Sequence, residues 1–268
     1  MSGLIFLKLG GSLITEKHTP MTPRLEVISR LAEEIAEVKN EKPGLQLVLG
    51  HGSGSFGHTP ANQHGTRQGV NTPEQWRGFH EVWLQARRLN SIVIDALHQT
   101  GIAAMSFPVS AGARTSEMKI VSWDLTPMQA ALQSGILPVV YGDVVFDEQI
   151  GGTILSTEDI FRHLTGILNP QQILLAGLEP GVWADYPQRS QLVKTITPEN
   201  FDSLIPAIAG AAETDVTGGM RSKVQEMLQL VKIFPDLEIC IFSGDTAGQI
   251  KTALLEIPSG TRIKNLVP

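Results

Sequence analysis

Lys8 stands directly before Leu9-Gly10-Gly11-Ser12, and Lys17 follows a few residues later. His58 closes Gly50-His51-Gly52-Ser53-Gly54-Ser55-Phe56-Gly57, which packs four glycines into eight residues. A third polar turn, Glu213-Thr214-Asp215-Val216-Thr217-Gly218-Gly219-Met220, leads to Lys223. Glycine has no Cβ, so backbone N–H groups can close around phosphate oxygens, and a helix starting at the turn adds the positive end of its dipole. Two such turns with several cations would hold two phosphate-bearing groups end to end. Neither turn is a P-loop, because no Gly-Lys-Ser/Thr ends a six-residue loop, and neither is a dinucleotide GxGxxG after the first strand.

Each signal also has an ordinary reading. Gly10-Gly11-Ser12 would serve equally as a tight strand-to-helix turn. Lys223 could be a solvated residue in the first turn of a capped helix. Lys8 is harder to set aside, because it falls in a stretch expected to be a buried strand, where an unpaired ammonium is costly. A bound anion or a nearby carboxylate would resolve that cost. His51 faces either a ligand or its own loop, and loop support is the commoner role. The remaining histidines make no metal-ligand spacing, so no metal ligand is assigned.

The elements that must position these residues follow from the hydrophobic pattern. Short apolar runs at 4–9, 45–49, 103–107, 137–141, 172–176 and 238–242 alternate with helical segments at 24–38, 73–99, 126–133, 157–164, 219–233 and 247–256. That alternation is the signature of an α/β fold, a mostly parallel sheet covered by helices on both faces. Both glycine turns then lie at carboxyl ends of parallel strands, where ligands settle in open sheets. Leu25, Ile28, Leu31, Ala32, Ile35 and Val38 share one stripe of the first long helix. Pro23 suits its first turn and Thr22 its cap. In the second long helix Phe79 and Trp83 are either core or the wall of a ligand pocket.

Bulk properties narrow the classes. A chain of 268 residues can bury a sizeable core without staples. A net charge of -6 argues against nucleic acid as the main partner, since backbone binding needs a basic surface. The single Cys240 lies in an apolar run and reads as a buried core thiol in a reducing cytoplasm. Neither a signal peptide nor a run near the ~20 residues of a membrane span is expected. With no linker or repeat, a soft boundary near Pro170 divides an N-terminal lobe, 1–170, from a C-terminal lobe, 171–268.

Taken in order, Lys-Leu-Gly-Gly-Ser, Ile14-Thr15-Glu16-Lys17, Gly54-Ser55-Phe56-Gly57-His58, Gly142-Asp143 and Asp215-Val216-Thr217-Gly218-Gly219-Met220 with Lys223 resemble the amino acid kinase superfamily. Within it they look most like isopentenyl phosphate kinases, and fosfomycin kinases share the element ending in His58. The resemblance implies an open αβα sandwich, a cytoplasmic homodimer, and a kinase using ATP and Mg²⁺ with a small phosphate as partner. The acceptor would sit in the N-terminal lobe and ATP in the C-terminal lobe.

It further implies that Lys8, Lys17 and Lys223 reach the phosphates of ATP, with Gly10, Gly11, Ser12, Gly181, Asp215 and Gly218 around the nucleotide. Gly52, Ser53, Gly54, Gly57, His58, Gly142 and Asp143 would hold the acceptor phosphate, and Phe79, Val82 and Trp83 an apolar tail. His58 is assigned to binding and orientation, with a base role or a structural role left open. An acidic organiser between the lysines corresponds to Ser156-Thr157-Glu158-Asp159, where Glu158 and Asp159 are both candidates. The nucleotide segment departs from the usual pattern, reading Ala176-Gly177-Leu178-Glu179-Pro180-Gly181-Val182-Trp183. Three functions follow: an isopentenyl phosphate kinase, the same machinery acting on fosfomycin or another small phosphate, and a nucleotide-binding sensor without turnover.

Overall fold

The computed structural model describes residues 3–209, 219–256 and 258–265. The first half of the chain runs β1 (Ile5–Leu9), α1 (Gly11–Ile14), α2 (Leu25–Glu41), β2 (Leu47–His51), α3 (Gly54–His64), a 3₁₀ turn (Thr66–Gln68), α4 (Pro73–Gln99), β3 (Ala104–Ser106), α5 (Val109–Gly112), β4 (Ala113–Ser116), β5 (Lys119–Trp123) and α6 (Thr126–Gln133). It continues with β6 (Leu137–Tyr141), β7 (Asp143–Asp147), β8 (Gly151–Leu155), α7 (Thr157–Leu168), β9 (Gln172–Gly177), β10 (Thr195–Ile196), α8 (Phe201–Ala209), α9 (Gly219–Ile233), β11 (Glu238–Ser243), α10 (Gln249–Leu255) and β12 (Thr261–Ile263).

Eight strands form one sheet in the order β10-β12-β11-β9-β1-β2-β6-β3, parallel except between β11 and β12. The two halves of the chain meet inside this sheet, where β1 pairs with β9 on one side and β2 on the other. Buried parallel strands read as continuous apolar runs, and β2 and β6 are buried throughout. Period-two alternation still sorts the side chains by face. Phe6, Val48, Ile173 and Ile239 pack with Phe161 and Leu164 of α7 and Val224 of α9. Leu7, Leu49, Leu174 and Cys240 pack on the other face with α2, α4 and α10. Burial pushes the Cys240 thiol up to about 12, so it behaves as a core residue.

Two expectations are corrected. A second sheet, β5-β4-β7-β8, occupies stretches left without elements by the hydrophobic pattern. Its β4 and β5 are short and half exposed, so they lack an apolar run. The cap of α2 also differs: Pro23 pairs with Thr15 in an isolated bridge, Thr22 Oγ1 donates to the Pro20 carbonyl, and Arg24 precedes the helix without a side-chain cap. No helix among the described residues is long and apolar enough to cross a membrane.

Candidate active site

The alternation that sends Phe6 toward α7 sends Lys8, two residues later, to the same face. There Lys8 Nζ is ion-paired with Glu158 Oε1, in the first turn of α7, with both residues under 9% exposed. Burial pulls the Lys8 ammonium below the ordinary lysine range, with Glu158 opposing that effect and Lys223 adding to it. Burial likewise pushes the Glu158 carboxyl up, but Lys8 and Lys223 outweigh it and hold the group at about 2. The carboxylate is therefore ionised beside two ammonium groups. Asp159 does a different job, accepting from Ser156 N at 3.0 Å and Ser156 Oγ at 2.7 Å as the partner in the α7 capping box. Of the two acidic candidates, Glu158 alone reaches Lys8.

Lys8 lies on the floor of a cavity of about 840 Å³ between the two glycine turns. The turns touch backbone to backbone. A Cβ on Gly11 would sit 2.5 Å from Gly54 N, and one on Gly52 would sit 2.8 Å from Gly11 N. Gly54 has φ +48°, where a side chain would also meet Thr15. Glycine is thus required for the turns to meet. Thr15 ties them together: its Oγ1 donates to the Gly11 carbonyl at 2.9 Å and accepts from Ser55 N at 3.0 Å. Gly10 N donates to Ala176 O at 2.8 Å, fastening the first turn to the end of β9.

Of the residues expected at the site, Lys8, Gly10, Gly11, Ser12, Lys17, Gly52, Ser53, Gly54, Gly57, His58, Gly142, Glu158, Gly181 and Lys223 line this one cavity. Lys17 sits on the exposed loop after α1, and His58 on α3 is half buried. Asp215 and Gly218 lie outside the described residues.

Four residues do not reach the cavity. Asp143 is fully buried, its Oδ2 accepting from Ser110 Oγ at 2.6 Å and its Oδ1 from Val144 N at 2.8 Å. Burial pushes its carboxyl up to about 7 despite those bonds. Phe79 points into a small core with Val70, Val82 and Val144, and Trp83 packs on His80 and beneath Arg87. Val82, one turn from Phe79 on the same face, is the α4 residue that lines the cavity, joined by Ala61 and Ile154. Asp159, spent on the cap, is the fourth.

Sequence reasoning missed several lining residues. Glu226 is one turn beyond Lys223 on α9, a spacing that puts both on one face. Burial, with Asp159 and Glu158 nearby, pushes its carboxyl up to about 7. Thr15 carries no signal of its own, because its role exists only once the turns meet. At the far end, Glu179 Oε2 accepts from Trp183 Nε1 at 2.7 Å, and its Oε1 lies 3.3 Å from Arg189, whose guanidinium covers the Tyr186 ring at 5.4 Å. Glu179 and Trp183 stand in the segment 176–183 that departs from the pattern the resemblance implies.

Chemically, the cavity offers lysines and glycine-rich turns at its centre, an aliphatic patch at one end and an aromatic and arginine wall at the other. It can align two anionic groups and neutralise charge passing between them.

The model of the amino acid kinase family matches residues 3–243. An isopentenyl phosphate kinase from Methanocaldococcus jannaschii is 32% identical over 97% of this chain and 98% of that protein. One from Methanothermobacter thermautotrophicus is 34% identical over the same shares, 97% and 98%. A solved isopentenyl phosphate kinase structure superposes with a TM-score of 0.81 at 31% identity, covering 97% of this chain and all of that one.

Proposed function

This chain belongs to the amino acid kinase family, with isopentenyl phosphate kinases among its relatives, and we propose that it transfers the γ-phosphoryl group of ATP to isopentenyl phosphate, producing isopentenyl diphosphate and ADP. The observation that carries this reading is the buried Lys8–Glu158 pair lying between two interlocked glycine turns, with His58 and Lys223 on the same cavity. Phosphoryl transfer through a loose transition state asks little covalent chemistry of a protein; it asks for alignment and for positive charge at the oxygens of the group in flight. Lys8 would supply that charge from the floor, its position fixed by Glu158. Lys223 would meet the donor phosphates from α9 and Lys17 the γ-phosphoryl from the loop after α1.

The acceptor phosphate is already a nucleophile near neutral pH, so no strong base is needed. His58 would hydrogen-bond it and hold it in line, with the Ser53 and Gly54 amides as further donors, whereas Gly52 N is committed to Leu9 O at 3.0 Å. The five-carbon tail would rest against Ala61, Val82 and Ile154. ATP would lie along Gly10, Gly11, Ser12 and Gly181, with its base end toward Trp183. The N-terminal lobe, 1–170, would thus hold the acceptor and the C-terminal lobe, 171–268, most of the nucleotide, within one continuous sheet.

Among the described residues no group of three or more His, Cys, Asp or Glu side chains could hold a metal ion. Mg²⁺ would enter on the phosphates of ATP and supply charge neutralisation there. The protein groups alone account for the binding and orientation described above.

The test is turnover with ATP and Mg²⁺ on isopentenyl phosphate and on fosfomycin, with the product identified by mass. Isopentenyl diphosphate should form, and fosfomycin should turn over far more slowly because its compact ring leaves the aliphatic patch unfilled. Preference for fosfomycin would overturn the acceptor assignment. Activity on neither substrate would favour a nucleotide-binding sensor. The homodimer implied by the resemblance is checked separately by light scattering.

A further inference from the structure

We propose that His51 is a positioning residue of the acceptor site, whose Nδ1–H holds the Gly52 carbonyl and so aims the Ser53 amide into the cleft. The inference rests on the acceptor-end assignment above. His51 does not line the cavity; it lies behind the turn, wholly buried at the end of β2, whose preceding residues include Leu47, Val48 and Leu49. An imidazole in such a place costs desolvation that an aliphatic side chain would avoid, so its polar atoms must be engaged.

They are engaged on every side. Nδ1 lies 3.2 Å from Gly52 O and Nε2 lies 3.2 Å from Asn90 Oδ1, while the ring stacks on Tyr141 with centroids 5.4 Å apart. Asn90 Nδ2 is in turn 2.9 Å from Ser106 Oγ. Burial and the nearby Lys8 hold the ring below the ordinary histidine range, so it is neutral, with one N–H and one lone pair. Two oxygens cannot both be satisfied by a neutral ring. All four groups are satisfied if the Asn90 amide is turned so that its NH₂ donates to Nε2 and its carbonyl accepts from Ser106 Oγ–H. The one ring proton is then on Nδ1 and is donated to Gly52 O.

The consequence follows from peptide planarity. In a trans peptide C=O and N–H point in opposite directions, and the Gly52–Ser53 bond is trans. Fixing Gly52 O on the buried side therefore turns Ser53 N–H to the other side, and Ser53 lines the cavity. The carbonyl of His51 is itself pinned, accepting from Gly142 N at 3.1 Å and Thr157 Oγ1 at 2.6 Å, so the loop has a rigid base from which to be aimed.

The two ring nitrogens can be separated by substitution, because an asparagine amide can stand in for Nδ1 and a glutamine amide for Nε2. With isopentenyl phosphate as the varied substrate, His51→Gln should raise the acceptor KM roughly five- to tenfold through loss of one hydrogen bond. His51→Asn should stay within about threefold of wild type, and neither should move the ATP KM, by the same hydrogen-bond accounting. Equal effects of the two variants, or a shift confined to ATP, would overturn the proposal. Inorganic phosphate titrated against the Ser53 and Gly54 amide signals in ¹⁵N NMR reads the same loop without relying on the acceptor's identity. It should bind more weakly to His51→Gln than to His51→Asn. If the wild type shows no turnover of isopentenyl phosphate, the acceptor assignment fails, and the phosphate titration still decides the role of His51. If the variants do not fold, ring ¹⁵N shifts of the wild type decide it: a proton on Nδ1 supports the proposal, and one on Nε2 ends it.

Discussion

At the end of the cleft lined by Gly52, Ser53 and Gly54 the backbone is held by buried hydrogen bonds through Thr15, His51 and Thr157. At the opposite end the Glu179, Trp183 and Arg189 side chains hold one another through contacts open to solvent, with Arg189 half exposed and Glu179 over a third exposed. Buried bonds act in a low dielectric and are costly to break, whereas exposed ion pairs contribute about 0–1 kcal/mol. The contrast teaches that, on the proposed reading, the acceptor's phosphate would meet a site built before it arrives. The nucleotide, which the same reading puts at the other end, would meet side chains that can adapt to it. The Lys8–Glu158 pair sits where the two regimes meet.

The largest break in that contrast should come from Lys8→Ala. Removing the floor ammonium should cut kcat by about 100- to 1000-fold, the range seen when one preorganised charge-stabilising donor is lost. It also takes from the buried Glu158 its ion-pair partner, at a cost of up to about 3–5 kcal/mol in stability by urea unfolding, less whatever Lys223 offsets. The double variant Lys8→Ala with Glu158→Ala should regain much of the stability and none of the rate. Recovery of turnover in the double variant would show that the pair is only structural.

Next in size is His58→Ala. Loss of a charge-assisted hydrogen bond to the acceptor should lower kcat/KM for isopentenyl phosphate roughly 10- to 100-fold, while ATP binding measured by calorimetry is unchanged. A matching loss of ATP affinity would mean that His58 serves both ends and that the division is wrong.

Glu226 tests the middle of the cleft. Its carboxyl is pushed up to about 7, so it gains negative charge as pH rises through neutrality and should then repel the phosphates. The ratio of wild-type to Glu226→Gln KM for ATP, in which the substrate's own titration cancels, should rise a few-fold between about pH 6 and 8. A flat ratio would remove Glu226 from the site's electrostatics.

The smallest effect is expected at the adaptable end. Glu179→Gln should change the ATP KM by no more than about threefold and leave the acceptor KM alone, in keeping with an exposed pair. A tenfold loss would show that this wall is as preorganised as the other.

Much of this was legible in the residues themselves. Short apolar runs located β1, β2, β6, β9 and β11, and 3.6-residue stripes located α2 and α4, because burial on a regular backbone leaves a regular mark. The glycine turns with Lys8, His58 and Lys223 could be picked out for the same reason: glycine and a buried-strand lysine are costly unless something requires them. The second sheet left no such mark, since β4 and β5 are half exposed and their pairing depends on β7 and β8 lying alongside.

The order of apolar runs, the two glycine-rich turns and the cations beside them were determined by sequence alone, since each is a local property of residue type and spacing. Tertiary structure alone decided which carboxylate faces Lys8, that Val82 rather than Phe79 or Trp83 reaches the cavity, and that Asp143 turns away from it. It also decided that Thr15 joins the two turns. Each of these depends on which face of one element meets which face of another, and that is set by packing between segments far apart in the chain.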